Sequence, residues 1–364
     1  MFAQPAKGDN EKVKTLRLAV NSAHLNAPAS IQALDRAAGI LRSGGLVALP
    51  TETVYGLGAN ALDAVAVERI FEAKQRPAWD PVIVHVAEMA GGKPMLEGLV
   101  REVPERARRL MEAFWPGPLT LLLPRSAAVP DAVTAGRPLV GVRMPAHPVA
   151  LELIRRAGVP VAAPSANLFG RTSPTTAEHV LHDLDGRIDA ILDAGPTEHG
   201  VESTVLDPGK IPMVIYRPGA VTAEQIRTVA GAVEVFQAAG PLSDEPRAAL
   251  PSPGVGLRHY APRARLVLVE AAFSDLAARL AEAARRWPGE RVGCMLPEGV
   301  AAPSEALIYN WGRWETPEEL AQRLYAGLRS LDGADCSVIL CPLPPSDGIG
   351  AALRDRLRKA GHQE

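Results

Sequence analysis

The sequence LPTETVYGLGAN, residues 49–60, lies between a short apolar run and a segment with helical periodicity. It contains two threonines, a glutamate and a tyrosine, and it includes two glycines two positions apart. A structural turn needs only one or two small or polar residues. We therefore weigh two interpretations of the stretch, an elaborate structural loop and one wall of a small-molecule pocket.

The composition is that of a globular protein. The chain has 364 residues, 47% of them hydrophobic and 22% charged, and this length favours two domains. A formal net charge of −2 provides no global positive field for nucleic acid. No apolar run approaches the roughly 20 residues of a membrane span, and the N-terminal residues lack the apolar core of a signal peptide. We therefore predict a cytoplasmic protein without a membrane segment.

Strand-like and helix-like patterns alternate in the first two thirds of the chain. LVALP predicts a strand, the stretch at 49–60 continues as a loop, and AVAVERIFEAKQ predicts a helix. Later strand-like runs are PVIVHVAE, LTLLLP, LVGVRMP and VPVAAP, with helix-like runs between them. This alternation predicts an α/β domain with a mixed twisted sheet.

The composition changes near residue 237. Residues 237–263 are rich in proline, glycine and alanine, which is typical of a long linker. A strand–helix–strand rhythm follows and predicts a smaller, open α/β domain with a parallel, Rossmann-like sheet. The predicted boundaries are 25–236 for the N-terminal domain, 237–263 for the linker and 264–364 for the C-terminal domain.

Several cationic or titratable residues lie at the ends of predicted elements. Lys74 and Arg76 precede Pro77 at a helix end, where they either complement the helix dipole or form a phosphate clamp. His85 lies in an apolar strand and is either a core residue or a ligand. Arg143 ends a strand, where it can hold a substrate carboxylate or an acidic side chain of the protein.

Hydroxyl and amide groups cluster in VAAPSANLFGRTSPTT, where Ser165, Asn167 and Ser173 follow an apolar strand. Capping of the next helix explains the last threonines but not PSAN. GVESTVLD and VIYRPGA add Ser203 and Arg217 at strand edges. The chain has no GxxxxGK[ST] sequence, so nucleotide binding here does not use a P-loop.

The order of these motifs is more informative than any single one. The chain closely resembles the YrdC-domain family of threonylcarbamoyl-AMP synthases in LPTETVYGLGANA, AKQRP, WPGPLTLLL, VRMPAHP, APSANLFGRTSPT, GVESTVLD and RPG. SPGVGLRHYAPRA, followed by a second α/β domain, resembles the two-domain SUA-type form. One departure is Asp80 in WDP, where the family more often has asparagine. A hydrogen bond from that amide would need another arrangement here.

The resemblance implies an enzyme, an L-threonylcarbamoyladenylate synthase, which joins L-threonine, bicarbonate and ATP and releases pyrophosphate. It implies catalytic roles for Lys74, Arg76, Ser165 and Asn167. It implies ATP contacts at Lys74, Arg76, Ser165, Ser173, Arg217 and Tyr260, and L-threonine contacts at Thr51, Tyr55, His85, Arg143, Ala163 and Ser203. Mg²⁺ is expected to arrive with ATP, held by phosphate oxygens and water, and no protein residue is assigned to it.

The implied product is the donor for t6A modification of tRNA. The resemblance therefore implies the downstream t6A transferase machinery as a partner, with tRNA as a transient one. We also expect the linker to fold over the pocket as a lid that brings Tyr260 to ATP, because a flexible tether needs none of Arg258, His259 and Tyr260. The alternative is an ordered linker packed on the outer surface.

Two other functions remain open at this point. A nonenzymatic RNA-binding module of the same fold is one, although aromatic and basic residues do not alternate as they do in many RNA-binding surfaces. A carbamoyl-transferring hydrogenase-maturation enzyme is the other. That form carries zinc-finger CxxC pairs, which the three cysteines of this chain cannot supply.

Overall fold

A computed structural model describes residues 14–88, 95–237 and 259–361, which form two sheets of eleven and four strands. The larger sheet is mixed and has the order β1-β8-β2-β3-β7-β4-β6-β5-β9-β10-β11. Its strands are β1 (Leu16–Ala19), β2 (Val47–Leu49), β3 (Gly56–Asn60), β4 (Ile83–His85), β5 (Leu119–Pro124), β6 (Leu139–Arg143), β7 (Val161–Ala162), β8 (Ala190–Asp193), β9 (Thr204–Asp207), β10 (Met213–Arg217) and β11 (Val233–Val235).

Helices cover both faces of this sheet. They are α1 (Pro28–Arg42), α2 (Ala64–Lys74), α3 (Glu105–Phe114), α4 (Asp131–Thr134), α5 (Pro148–Ala157), α6 (Ala177–Leu184) and α7 (Ala223–Ala230). Helices α1 and α5 share one buried apolar cluster, whereas α2 and α3 belong to another. The predicted mixed α/β architecture is confirmed.

The sequence pattern predicted a loop over the whole stretch at 49–60, and this prediction is wrong for its second half. Its second half is β3, which pairs antiparallel with β2 and with β7. A Cβ atom on Gly58 would lie 2.9 Å from side-chain carbons of both Leu49 and Val161. Glycine thus lets the neighbouring side chains close over the strand, although glycine usually weakens a strand pattern.

Helix α2 shows how the local sequence places a functional side chain. Its first turn is capped by the Asp63 carboxylate, which accepts hydrogen bonds from the amides of Val65 and Ala66. The helix ends at Lys74 because Gln75 adopts a left-handed conformation, with φ of 53°. This reversal turns Arg76 back toward the sheet, and Pro77 prevents further helix.

The C-terminal part of the chain forms the smaller, fully parallel sheet, in the order β12-β15-β13-β14. Its elements are β12 (Arg265–Val269), α8 (Leu276–Arg285), β13 (Val292–Pro297), β14 (Leu307–Gly312), α9 (Pro317–Gly333), β15 (Val338–Pro342) and α10 (Gly350–Ala360). The predicted small parallel sheet is confirmed, with β14 added as a strand that the sequence reasoning did not assign.

The two sheets are joined through a shared core. Val54 and Val201, from loops of the larger sheet, pack in one buried cluster with Trp311, Tyr325 and other residues of the smaller sheet. Most of the predicted linker, including Arg258, lies outside the described residues. In the part of the chain that the structure describes, no helix is both long enough and apolar enough to span a bilayer.

Candidate active site

A pocket lies where the ends of several strands of the larger sheet meet the segment at residues 259–260. We call it the central pocket. Its lining includes, from the predicted site residues, Thr51, Arg76, His85, Arg143, Ala163, Ser165, Ser203, Arg217 and Tyr260. The other predicted residues, Tyr55, Lys74, Asn167 and Ser173, do not line it and are buried. The pocket therefore collects most of the predicted set at one place.

Thr51 begins a tight turn at the end of β2. Its hydroxyl lies 2.6 Å from the carbonyl oxygen of Val54 and 2.8 Å from the hydroxyl of Thr53, and it accepts hydrogen bonds from both of their amides. Tyr55 follows the turn and points away from the pocket. Its phenol donates to the carbonyl of Gly195 at 2.7 Å. These contacts fix the wall that the sequence predicted.

Arg143, at the end of β6, is held by this same turn. Its guanidinium lies 2.6 Å from Oε1 of Glu52, and Nη1 donates to the Thr53 hydroxyl at 3.0 Å. Both ionic side chains are buried, with 4% and 3% of their surface exposed. The sequence reasoning did not assign Glu52, although it stands inside the motif that was quoted first. An acidic residue in that motif was the available signal.

His85 lies beside Arg143 because β4 and β6 pair in register at these two residues. Burial and the positive charge of Arg143 lower the pKa of His85 to about 3. Its imidazole is therefore neutral at physiological pH, and it places no second positive charge next to the guanidinium.

Ser203 and Arg217 meet because β9 and β10 are antiparallel neighbours. The Arg217 guanidinium donates to the hydroxyl and to the carbonyl of Ser203, at 3.1 Å each. The Ser203 hydroxyl also lies 2.8 Å from the hydroxyl of Thr120 on β5. Arg217 is 5% exposed and lines the central pocket.

Lys74 is directed into the protein. Its ammonium donates to the carbonyl oxygens of Ser165 and Asn167 at 2.5 Å, and the residue is 1% exposed. Burial, together with the charge of Arg76, lowers the pKa of Lys74 well below its ordinary value. Lys74 thus fastens helix α2 to the PSAN segment.

Arg76 lines the pocket and is held from behind. Nε donates to the carbonyl of Asp80 at 3.2 Å and Nη2 to that of Pro81 at 2.8 Å. Nη2 also lies 2.9 Å from the Asp80 carboxylate, which is fully buried. The unusual aspartate in WDP is therefore an ionic partner of the arginine in the predicted phosphate clamp. Burial lowers the pKa of Arg76.

Asn167 shapes the loop that follows the PSAN segment. Its side-chain amide donates to the carbonyls of Leu168 and Arg171, at 2.7 and 2.9 Å. Ser173, at the end of this loop, donates its hydroxyl to the carboxylate of Glu202. Both side chains therefore set the path of the backbone around the pocket.

His259 and Tyr260 cross the mouth of the pocket between two elements. The amide of His259 donates to the carbonyl of Lys359 on α10, and the amide of Ala261 donates to that of Gly170. Tyr260 has a φ of 66° and is 2% exposed. Its burial raises the pKa of the phenol to about 12, so the Tyr260 hydroxyl stays protonated at neutral pH.

Two family models match the chain. One, described as Telomere recombination (Sua5_yciO_yrdC), covers residues 39–219, and the other, described as Threonylcarbamoyl-AMP synthase, C-terminal domain, covers residues 221–361. Together with the two sheets and the pocket between their loops, these models define a two-domain protein of the Sua5/YciO/YrdC class.

Relatives narrow this class. Threonylcarbamoyl-AMP synthase from Pyrococcus abyssi is 45% identical over 327 residues, which are 89% of this chain and 92% of that protein. A shorter threonylcarbamoyl-AMP synthase from Cellvibrio japonicus is 36% identical over 158 residues, which are 43% of this chain and 82% of that protein. The crystal structure of P. abyssi Sua5 complexed with L-threonine has a TM-score of 0.84 and 41% identity, over 95% of this chain and 97% of that chain.

The chain belongs to the threonylcarbamoyl-AMP synthase family, in its two-domain form, and it is an enzyme. The predicted resemblance is thereby confirmed. The alternative of a nonenzymatic RNA-binding module is not favoured, because the relatives that match most of the chain are named as synthases.

Proposed function

We propose that the central pocket is where this threonylcarbamoyl-AMP synthase joins L-threonine, bicarbonate and ATP into L-threonylcarbamoyl-AMP and pyrophosphate. The observation that carries this proposal is the convergence of Arg76, Arg143 and Arg217, which are 7%, 3% and 5% exposed, on one pocket. Buried guanidinium groups bind carboxylates and phosphates with strong, charge-assisted hydrogen bonds. L-Threonine supplies a carboxylate, and ATP supplies the phosphates.

The amino-acid half of the pocket comprises Thr51, His85, Arg143, Ala163 and Ser203. In our proposal Arg143 binds the carboxylate of L-threonine, and the hydroxyls of Thr51 and Ser203 bind its polar groups. The Thr51 hydroxyl has to exchange one of its contacts within the turn for this purpose. The backbone at Ala163 contributes a further contact. Neutral His85 adds no second positive charge beside Arg143 and the substrate amine. Tyr55 acts indirectly, by fixing the wall through its bond to Gly195.

We assign the nucleotide half to the remaining cationic and polar groups, four of which line the pocket, while Lys74, Asn167 and Ser173 are buried and do not line it. Its members are Lys74, Arg76, Ser165, Asn167, Ser173, Arg217 and Tyr260. Arg76 and Arg217 already line the pocket, whereas Lys74 has to leave two carbonyls to reach a phosphate. A phosphate nearby would favour the protonated form of Lys74 and thus offset the effect of burial.

The chemistry needs positioning more than a protein nucleophile. The amine of L-threonine and bicarbonate first give a carbamate with loss of water. A carbamate oxygen then attacks the α-phosphorus of ATP, and the bond to the β-phosphate oxygen breaks as pyrophosphate leaves. Negative charge develops on the phosphates, where the guanidinium groups of Arg76 and Arg217 stabilise it. Lys74, Ser165 and Asn167 complete the proposed catalytic group.

Mg²⁺ is proposed to enter with ATP. This ion retains several waters and usually binds through substrate phosphates. Among residues 14–88, 95–237 and 259–361, no group of three or more histidine, cysteine or acidic side chains could hold a metal ion. We assign no protein ligand to Mg²⁺, which would neutralise the leaving pyrophosphate when bound with ATP.

We also propose the domain division at 25–236, 237–263 and 264–364, with the middle segment as a lid that brings Tyr260 to ATP. The burial of Tyr260 at the pocket mouth supports this role. Closing the site would exclude water from an adenylate that hydrolyses easily. The product would pass to the t6A transferase machinery in the cytoplasm, with tRNA as a transient partner.

Measuring pyrophosphate release with each substrate omitted in turn tests the proposed function. We expect release only when L-threonine, bicarbonate and ATP are all present, together with a product of the mass of threonylcarbamoyl-AMP. Release that does not depend on L-threonine would contradict the assignment. A shift of RNA mobility without ATP, in the absence of any such release, would instead support the RNA-binding module.

A further inference from the structure

A buried carboxylate stands on the wall of the pocket that we assign to anionic substrates. Glu202 is 6% exposed and lines the central pocket, next to Ser203. Its carboxylate accepts hydrogen bonds from the Ser173 hydroxyl and, at 3.0 Å, from the phenol of Tyr325. Burial alone would raise the pKa of Glu202, but the charges of Arg356 and Arg217 lower it below its ordinary value. Glu202 is therefore ionised at neutral pH.

The main countercharge comes from the other domain. Arg356 lies on α10, and none of its side chain is exposed. Its Nε donates to Oε2 of Glu202 at 2.7 Å, across 154 positions of sequence. Its Nη2 donates to the carbonyl of Pro218 at 2.9 Å. One guanidinium thus ties α10 to the two segments that carry Ser203 and Arg217.

The same guanidinium also supports Tyr260. Its carbon lies 5.1 Å from the centre of the Tyr260 ring, which is within the range of a cation–π contact. On α9, the ring of Tyr325 is nearly parallel to that of Tyr260, with 6.0 Å between the ring centres and 28° between the planes. The C-terminal domain therefore contacts both the carboxylate on the pocket wall and the aromatic ring at the pocket mouth.

An ionised carboxylate opposes the binding of ATP unless it is neutralised, because like charges at short range in a buried site repel strongly. We propose that Arg356 is a positioning residue of the active site, supplied by the C-terminal domain. It neutralises Glu202, keeps this carboxylate turned toward Ser173, and holds Tyr260 at the pocket mouth. This inference rests on the proposed binding of ATP in the central pocket, and it gives the second domain a direct part in that binding.

Four variants test the proposal through the KM for ATP and through ATP affinity measured by calorimetry. We expect Arg356→Met to raise both the KM and the dissociation constant by at least about tenfold, because it removes the main countercharge of the Glu202 carboxylate. Arg356→Lys should restore part of this loss. The double variant Arg356→Met with Glu202→Gln should bind ATP more tightly than Arg356→Met alone, because the repelling charge is gone.

Arg329→Met is the matched control. Arg329, on α9, also makes a buried ion pair between the domains, at 2.7 Å from Asp183, but it does not line the central pocket. We expect this variant to lose stability while its KM for ATP stays within about twofold of the wild type, because Arg329 contacts Asp183 and the carbonyl of Thr172 but no side chain of the pocket. An equal rise of the KM in Arg329→Met and Arg356→Met would overturn the proposal, because domain docking alone would then explain both.

Two further results are decisive. Wild-type ATP affinity in folded Arg356→Met would overturn the proposal. A double variant that folds but binds ATP no better than Arg356→Met would also overturn it, because lost packing rather than the charge of Glu202 would then explain the weaker binding. If Arg356→Met does not fold, the double variant and Arg356→Lys carry the test through the same two measurements. Failure of the proposed function is separate, because it would appear as no pyrophosphate release by the wild-type enzyme.

Discussion

The two halves of the central pocket hold their cations in different ways. In the nucleotide half, Lys74 and Arg76 each donate to two backbone carbonyls, and Arg76 also lies 2.9 Å from the buried Asp80 carboxylate. In the amino-acid half, Arg143 donates to the Thr53 hydroxyl and is paired with the carboxylate of Glu52. Carbonyls orient a cation without cancelling its charge, whereas a carboxylate does both.

This difference matches the substrates that we assign to each half. Lys74, Arg76 and Arg217 outnumber the carboxylates of Asp80 and Glu202, the second of which is paired with Arg356, and ATP carries several negative charges. In the other half one arginine is balanced by one carboxylate, Glu52, and L-threonine has no net charge. The following predictions test whether the two halves are as separate as this comparison implies.

The largest effect is expected in the amino-acid half. Arg143→Met leaves Glu52 as a buried carboxylate without its ionic partner, which should lower the free energy of unfolding by about 3–5 kcal/mol. Urea unfolding measures this loss. Adding Glu52→Gln should recover much of the stability but not the affinity for L-threonine. An unchanged unfolding midpoint in Arg143→Met would show that the ion pair contributes nothing.

In the nucleotide half, Lys74→Ala or Arg76→Ala should lower the rate of synthesis at least about tenfold. Each removes a charge-assisted contact to a phosphate worth about 1.5–3 kcal/mol. Arg69→Ala is the matched control, because Arg69 lies on the same helix with 44% of its side chain exposed. Pyrophosphate release measures all three. Near wild-type rates in both folded variants would show that Lys74 and Arg76 do not bind phosphate and only complement the helix dipole.

Substrate choice should show a smaller effect. We expect L-threonine to be preferred over serine by about 1–3 kcal/mol in kcat/KM, which is the usual worth of one methyl group in a pocket. Valine should be rejected more strongly, because it leaves the hydroxyls of Thr51 and Ser203 without their proposed partner. Competition between the three amino acids measures these ratios. Equal use of valine and threonine would rule out the assignment of the amino-acid half.

The smallest effect concerns His85. Its pKa is about 3 in the folded protein and about 6.5 in an unfolded chain, so the unfolded state binds more protons between these values. Stability from the neutral imidazole is therefore present above about pH 6.5 and is lost as the pH falls below it. At about pH 5.5 the loss should reach about 1.4 kcal/mol.

A variant without this titration provides the comparison. His85→Gln should lose less stability than the wild type between about pH 7.5 and 5.5, as measured by urea unfolding at the two values. The same acid-side loss in both proteins would show that His85 does not titrate in this way.

The site residues were predicted through the resemblance of their motifs to a known family, and nine of them line one pocket because several of these motifs lie at strand ends. The contacts that hold these motifs could not be predicted. Gly58 belongs to a strand because Leu49 and Val161 close over it, and no local pattern reports that packing. The bond between Glu202 and Arg356 joins residues 154 positions apart, so only the folded arrangement of two domains shows it.

Lys74 illustrates the same limit at short range. Its position before Pro77 allowed either a complement to the helix dipole or a phosphate clamp, and the family resemblance implied the clamp. In the structure its ammonium is bonded to the carbonyls of Ser165 and Asn167. The sequence position at a helix end determines where the residue lies in the fold, but it does not determine which hydrogen-bond acceptors its side chain contacts. The sequence therefore predicted which residues gather, and the structure was needed to find how each is held.

Titration of L-threonine into wild-type protein and into Arg76→Ala, followed by calorimetry, tests the separation of the two halves most directly. Arg76 is bonded to the carbonyls of Asp80 and Pro81, whereas Arg143 is bonded to the Thr51–Val54 turn through Glu52 and Thr53. We expect Arg76→Ala to keep wild-type affinity for L-threonine while its affinity for ATP falls at least about tenfold. A parallel loss of both affinities in the folded variant would contradict this expectation.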